Sequence, residues 1–182
     1  MKKLKTIITM MVLAAGLLSL SSCQDNEIAR TLQGAWKGDI IASRTWGGIE
    51  YQCSYTELYF AKDPGSYSSG SGYWYEEYSG APWDYFASNM SWTVTNGVIY
   101  IHLSDSNEDY RISNYRLTDN QFSGRFYSEG IERSFNLYYD GNWYWNNYNT
   151  GWDSWYFDYG GYAKGKKPAG DAVPEHPTPN LY

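Results

Sequence analysis

Residues 85–104 read Tyr-Phe-Ala-Ser-Asn-Met-Ser-Trp-Thr-Val-Thr, then Asn96-Gly97, then Val-Ile-Tyr-Ile-His-Leu-Ser. Both arms alternate in side-chain character with period two, and Asn-Gly supplies the two positive φ angles that a tight type I′ turn demands. The stretch therefore predicts a β-hairpin. Phe86, Met90, Trp92 and Val94 share one face of the first arm, and Ile99, Ile101 and Leu103 one face of the second. Pairing across the turn makes a single apolar wall around which the rest of the chain has to close.

Working outward, short strand-like runs are separated by turn chemistry. Before the hairpin come residues 34–44, with Trp36, Ile40 and Ala42 on one face, then 49–60 presenting Leu58 and Phe60, and 72–79. Trp46-Gly47-Gly48, a longer loop punctuated by Asp63-Pro64-Gly65, and Gly80-Ala81-Pro82-Trp83-Asp84 separate them. After it come residues 109–117, 121–127 with Phe122 and Phe126, and 131–139 with Phe135 and Leu137. Eight short strands with tight connections and no crossover helix make an antiparallel meander, and eight is a number that closes into a small barrel without free edges. The expectation is an all-β fold, an eight-stranded up-and-down barrel over residues 30–140.

The 182 residues amount to one domain, and 20 Tyr, 9 Trp and 6 Phe are enough to build its core. Lys2, Lys3 and Lys5 precede an apolar run over residues 6–20, too short and too N-terminal for an ordinary spanning helix, so residues 1–22 read as a signal peptide. Leu20-Ser21-Ser22-Cys23 then resembles the lipobox of bacterial lipoproteins. That resemblance implies a mature chain beginning at Cys23, with acyl chains on its sulfur and its new amino group. Each buried methylene is worth about 0.8 kcal/mol, so two or three chains anchor stably. Residues 23–29 read as a polar tether. Its acids, Asp25 and Glu27, resemble those of some outer-membrane lipoproteins of the Bacteroidota, without the consecutive acids of their stronger export signals; the membrane face stays open.

Processing removes three lysines and no acid, which takes the formal charge from −6 to −9. Such a surface speaks against a nucleic-acid partner, which needs a basic face. With Cys23 acylated, Cys53 has no intrachain partner, and a disulfide framework is excluded.

Gly34-Ala35-Trp36 at the start of the first strand resembles the Gly-x-Trp signature of lipocalins and wider calycins. Residues 63–70, 80–85 and 97–100 are similar to lipocalin-like lipoproteins of the Bacteroidota whose role is not established. In lipocalins that Trp closes the barrel base near an Arg from the last strands, which implies a structural role for Trp36 with Arg125 or Arg133. The resemblance also implies a ligand-binding barrel. Inward residues as bulky as Trp92, Phe86, Met90, Phe60, Phe126 and Phe135 leave open whether the lumen is hollow or solid.

No catalytic set, metal site or cofactor site emerges. His102 falls opposite Ile101 and Leu103 and reads as a surface residue, and His176 lies in the tail. Glu76 and Glu77 are strand neighbours and point to opposite sides. Asp105, Glu108 and Asp109 read as a solvated turn ahead of a weak calcium site. Residues 141–162 are rich in Trp, Tyr, Asn and Gly, and residues 163–182 read as a disordered tail. Trp74-Tyr75 and Trp83-Asp84 recur as Trp143-Tyr144 and Trp152-Asp153, which reads first as chance and second as a duplicated surface device. Trp74, Trp83, Trp143, Trp145, Trp152 and Trp155 are thus the candidate binding residues, suited to stacking on sugars, to a protein interface or to lipid headgroups. The functional expectation is a membrane-anchored, non-catalytic envelope module for a small apolar molecule or a glycan. The alternative is an interaction or inhibitor module, a solid barrel presenting loops to an envelope protein.

Overall fold

A computed structural model describes residues 23–83, 85–141 and 178–179. Helix α1 (residues 23–32) leads into β1 (Gly34–Ile40), β2 (Ser43–Trp46), β3 (Ile49–Lys62), β4 (Ser69–Tyr78), β5 (Phe86–Thr95), β6 (Val98–Leu103), β7 (Glu108–Leu117), β8 (Gln121–Ser128) and β9 (Ile131–Tyr139); β10 is Thr178–Pro179. Strands β3 to β9 form an antiparallel meander in sequence order. Strand β1 closes it, pairing with β9 on one side (Trp36 opposite Tyr139) and β3 on the other (Trp36 opposite Leu58). The result is the expected eight-stranded barrel. In the β5–β6 turn, Asn96 and Gly97 adopt φ of 52° and 74°, both positive as the I′ geometry requires.

The first expected strand divides in two. Pairing of β1 with β9 ends at Ile40 opposite Phe135, and Ala42 N–H turns back to the Ile40 carbonyl at 2.8 Å. The chain then leaves the barrel as β2, which pairs with the first residues of β3. Within the expected tail, β10 adds to β2 at Thr45 and Arg44; residues 142–177 and 180–182 lie outside the described residues.

Residues 23–29, expected as a polar tether, are helical and belong to α1, in which Asp25, Ala29 and Leu32 are buried. They recur at helical spacing, which places them on one face of the helix. The helix covers one end of the barrel. Trp36 donates its indole N–H to the Leu32 carbonyl at 2.7 Å and packs edge-on against Phe122 and Tyr139, which closes this base.

The lumen is packed solid. Trp36, Phe60, Phe86, Met90, Trp92, Phe122, Phe126 and Phe135 all belong to one buried cluster. Where Trp92 and Met90 need room, β4 carries glycine: a Cβ on Gly72 would come within 1.9 Å of the Tyr59 carbonyl oxygen and 2.8 Å of Met90 Cε.

Candidate binding site

At the end opposite α1, the barrel mouth holds a buried polar cluster. Continuing the inward parity of Trp36 along the chain reaches Arg44; the same alternation from Trp74 reaches Glu76 and Tyr78, and from Ile112 it reaches Tyr110 and Glu108. Arg44 grips Glu108 with two parallel bonds, Nη1 to Oε1 at 2.8 Å and Nη2 to Oε2 at 3.1 Å, and donates from Nε to the Tyr78 hydroxyl at 2.8 Å. Tyr78 donates to Glu76, Tyr110 donates to Glu108, and Arg44 Nη2 lies 3.5 Å from Glu76. The guanidinium also stands 4.6 Å over the Phe86 ring.

Electrostatics lock this arrangement. Burial by itself would lower the pKa of Arg44, but its polar partners Tyr78, Glu108 and Glu76 outweigh it and hold the guanidinium well above its ordinary value. Burial would raise Glu108, yet the Arg44 charge and its hydrogen bonds bring that carboxyl below the usual range. Burial pushes the Tyr78 and Tyr110 phenols well up, so both remain donors. A cavity of about 30 Å³ adjoins the cluster, lined by Arg44, Glu76, Tyr78, Tyr110, Phe126 and Arg133. That is the scale of a water molecule.

The larger space lies on the outer wall. A groove of about 420 Å³ runs over β5, β6 and β7, with the backbone of the inward-facing Trp92, Ile101 and Tyr110 as its floor. Ser91, Thr93, Tyr100, His102 and Asp109 provide its outward side chains. Tyr100 is 43% exposed, and His102 Nδ1 lies 2.9 Å from Asp109 Oδ1. One aromatic face therefore stands beside two hydroxyls, an imidazole and a carboxylate.

The lipocalin-like domain model matches residues 32–124, from the last residue of α1 into β8. The chain belongs to this family. No curated protein and no solved structure matches it. The lipocalin-like fold is generally a non-catalytic one that takes small hydrophobic ligands, and in this lipocalin-like domain the lumen that would hold them is occupied by its own aromatic side chains.

Other site residues fall as follows. Trp74 is not an exposed platform: it is 1% exposed, inside the lipocalin-like barrel, and stacked on Tyr110 at 4.7 Å. Trp83 is buried too, edge-on to Tyr51 and Tyr78. Both lie where neighbouring aromatic rings pack, so their apolar area goes into the core. Trp143, Trp145, Trp152 and Trp155 lie outside the described residues.

Trp36 sits at the base, but neither implied arginine joins it. Arg125 pairs with Glu132 on the outside at 3.1 Å, and Arg133 lines the mouth cavity at the far end. Glu108 is no member of a solvated turn; only Asp105 and Asp109 remain exposed, Asp105 holding the Asn89 amide at 2.7 Å and Asp109 pairing with His102. Arg44 and Glu76, which sequence reasoning left unused, carry a detectable signal. Strict alternation places one guanidinium and two carboxylates on the inward face.

Proposed function

We propose that this chain is a lipid-anchored, non-catalytic binding protein of the cell envelope that takes a glycan in the groove on its outer wall. The observation that carries the reading is the contrast in space: the lumen is filled, leaving about 30 Å³ at the mouth, whereas the groove offers about 420 Å³. Binding sites fall on the scale of hundreds of Å³. An exposed tyrosine face beside polar groups suits a sugar, whose ring presents C–H bonds to the aromatic and hydroxyls to Asp109, His102, Ser91 and Thr93. The anchor rests on the lipobox and on Cys23, which is exposed in α1.

The mature chain with Cys23→Ser, applied to a glycan array, should retain a defined set of saccharides, and Tyr100→Ala should weaken their binding roughly tenfold, as the loss of one stacking contact predicts. Silence across the array, or binding indifferent to Tyr100→Ala, would overturn the groove assignment. Anchoring is tested separately: the wild-type mature mass should include acyl chains, and Cys23→Ala should abolish membrane fractionation. The filled lumen also favours a second reading, a solid scaffold presenting loops to an envelope protein. Cross-linking in intact cells that captures one envelope protein through the groove, with no saccharide retained, would select it.

A further inference from the structure

The closed base bears features that glycan binding does not use. Cys23 is itself helical within α1, so no slack separates the acylation position from the folded domain. Two residues on, the Asp25 carboxylate receives the backbone N–H groups of Asn96 and Gly97 at 2.9 and 2.7 Å, clamping the helix to the tip of the β5–β6 hairpin. The β3–β4 loop lies at the same end, since Val94 N–H donates to the Ser68 carbonyl at 2.7 Å. That loop presents Tyr67, 74% exposed, with the Lys62 ammonium 6.0 Å from its ring centroid.

From these positions we infer that the barrel base is a lipid-facing surface, which Cys23 holds flat on the bilayer, with Tyr67 at headgroup level, Lys62 toward the phosphates, and the Arg44 mouth directed away. This rests on the lipid-anchor reading above. Two residues of chain span about 7 Å at most, so an acyl group on Cys23 holds the clamped hairpin tip beside the headgroups rather than on a free leash. Amphipathic rings such as tyrosine collect at that depth, and a lysine there meets lipid phosphate.

The test uses the full lipoprotein in vesicles of phosphatidylethanolamine and phosphatidylglycerol that contain nitroxide-headgroup lipid. In a Cys53→Ala background, an environment-sensitive fluorophore is placed at Pro64→Cys on the base loop or at Ile49→Cys beyond the mouth. Intact mass is measured on the same samples. The expected result is acylated protein whose fluorophore is quenched at least twofold at position 64 and not at position 49. Adding Asp25→Ala should narrow that contrast by freeing the helix. Equal quenching, stronger quenching at position 49, or none at either in acylated protein overturns the orientation, the last pointing to a protein rather than lipid at the base. A mature chain without acyl groups overturns the anchor reading and this inference with it.

Discussion

The two ends of the barrel are closed by opposite chemistry. At the base, a helix and edge-on aromatic rings exclude water through apolar area, with Trp36 at the centre. At the mouth, charges meet in a bidentate Arg44–Glu108 pair bordered by phenols. Apolar closure gains from every buried surface, whereas a buried ion pair must first offset the desolvation of two charges. The base should therefore be where this fold draws stability, and the mouth where it has a fixed, replaceable internal geometry.

Substitutions can break this contrast. The largest effect is expected for Trp36→Ala, which empties the base and removes the bond to Leu32; a loss of about 3–5 kcal/mol should appear as a lowered urea midpoint. At the mouth, Glu108→Leu alone leaves Arg44 without its bidentate partner and should cost about 3 kcal/mol or somewhat more, whereas Arg44→Met with Glu108→Leu should return close to wild type. If the double substitution stays as destabilised as the single one, the mouth is as irreplaceable as the base. Asp25→Ala removes two charge-assisted bonds to the hairpin tip and should cost roughly 2 kcal/mol in the same denaturation measurement.

Acid sharpens the comparison further. Glu108 is held below its unfolded value, so its stabilising contribution is present above a pH of about 4.3 and is lost as pH falls through the folded value. Glu57 on the outer wall is raised, by burial first, so its contribution runs the other way and is lost as pH rises through its folded value. The melting temperature should drop on acidification below about pH 4, and Glu108→Gln should flatten that drop. The smallest effect concerns Cys53. Burial, aided by Glu76, pushes its thiol up to about 12, so alkylating reagents at pH 8 should leave it unmodified until the chain unfolds.

How far the sequence is legible follows from the length and strictness of each pattern. The hairpin and the barrel around it are written in unbroken period-two runs with explicit turn residues, and Asn96-Gly97 is the clearest of these. Helix α1 is hidden because Asp25, Ala29 and Leu32 give less than three turns of periodicity and include an acid that looks solvated. Trp74 and Trp83 mislead because aromatic residues suit an exposed platform and a core equally well, and only tertiary packing decides. The mouth cluster escapes for a related reason. Arg44, Glu76 and Glu108 read as surface charges one at a time, and their burial makes sense only when three distant strands bring them within hydrogen-bonding reach. The groove is less visible still, since a concavity has no one-dimensional signature.

Closure of the ring through β1 has a kinetic corollary. Every other pairing in the barrel joins neighbours along the chain, but Trp36 meets Tyr139 across most of the domain. Local hairpins form early and distant pairings late, because the entropy of looping the chain must be met before the contact forms. The seam between β1 and β9 is thus expected to close last, and until it zips both strands expose unpaired backbone edges able to recruit another chain. During synthesis the first strand emerges long before the ninth, so the time of greatest aggregation risk is set by how soon residues 131–139 arrive.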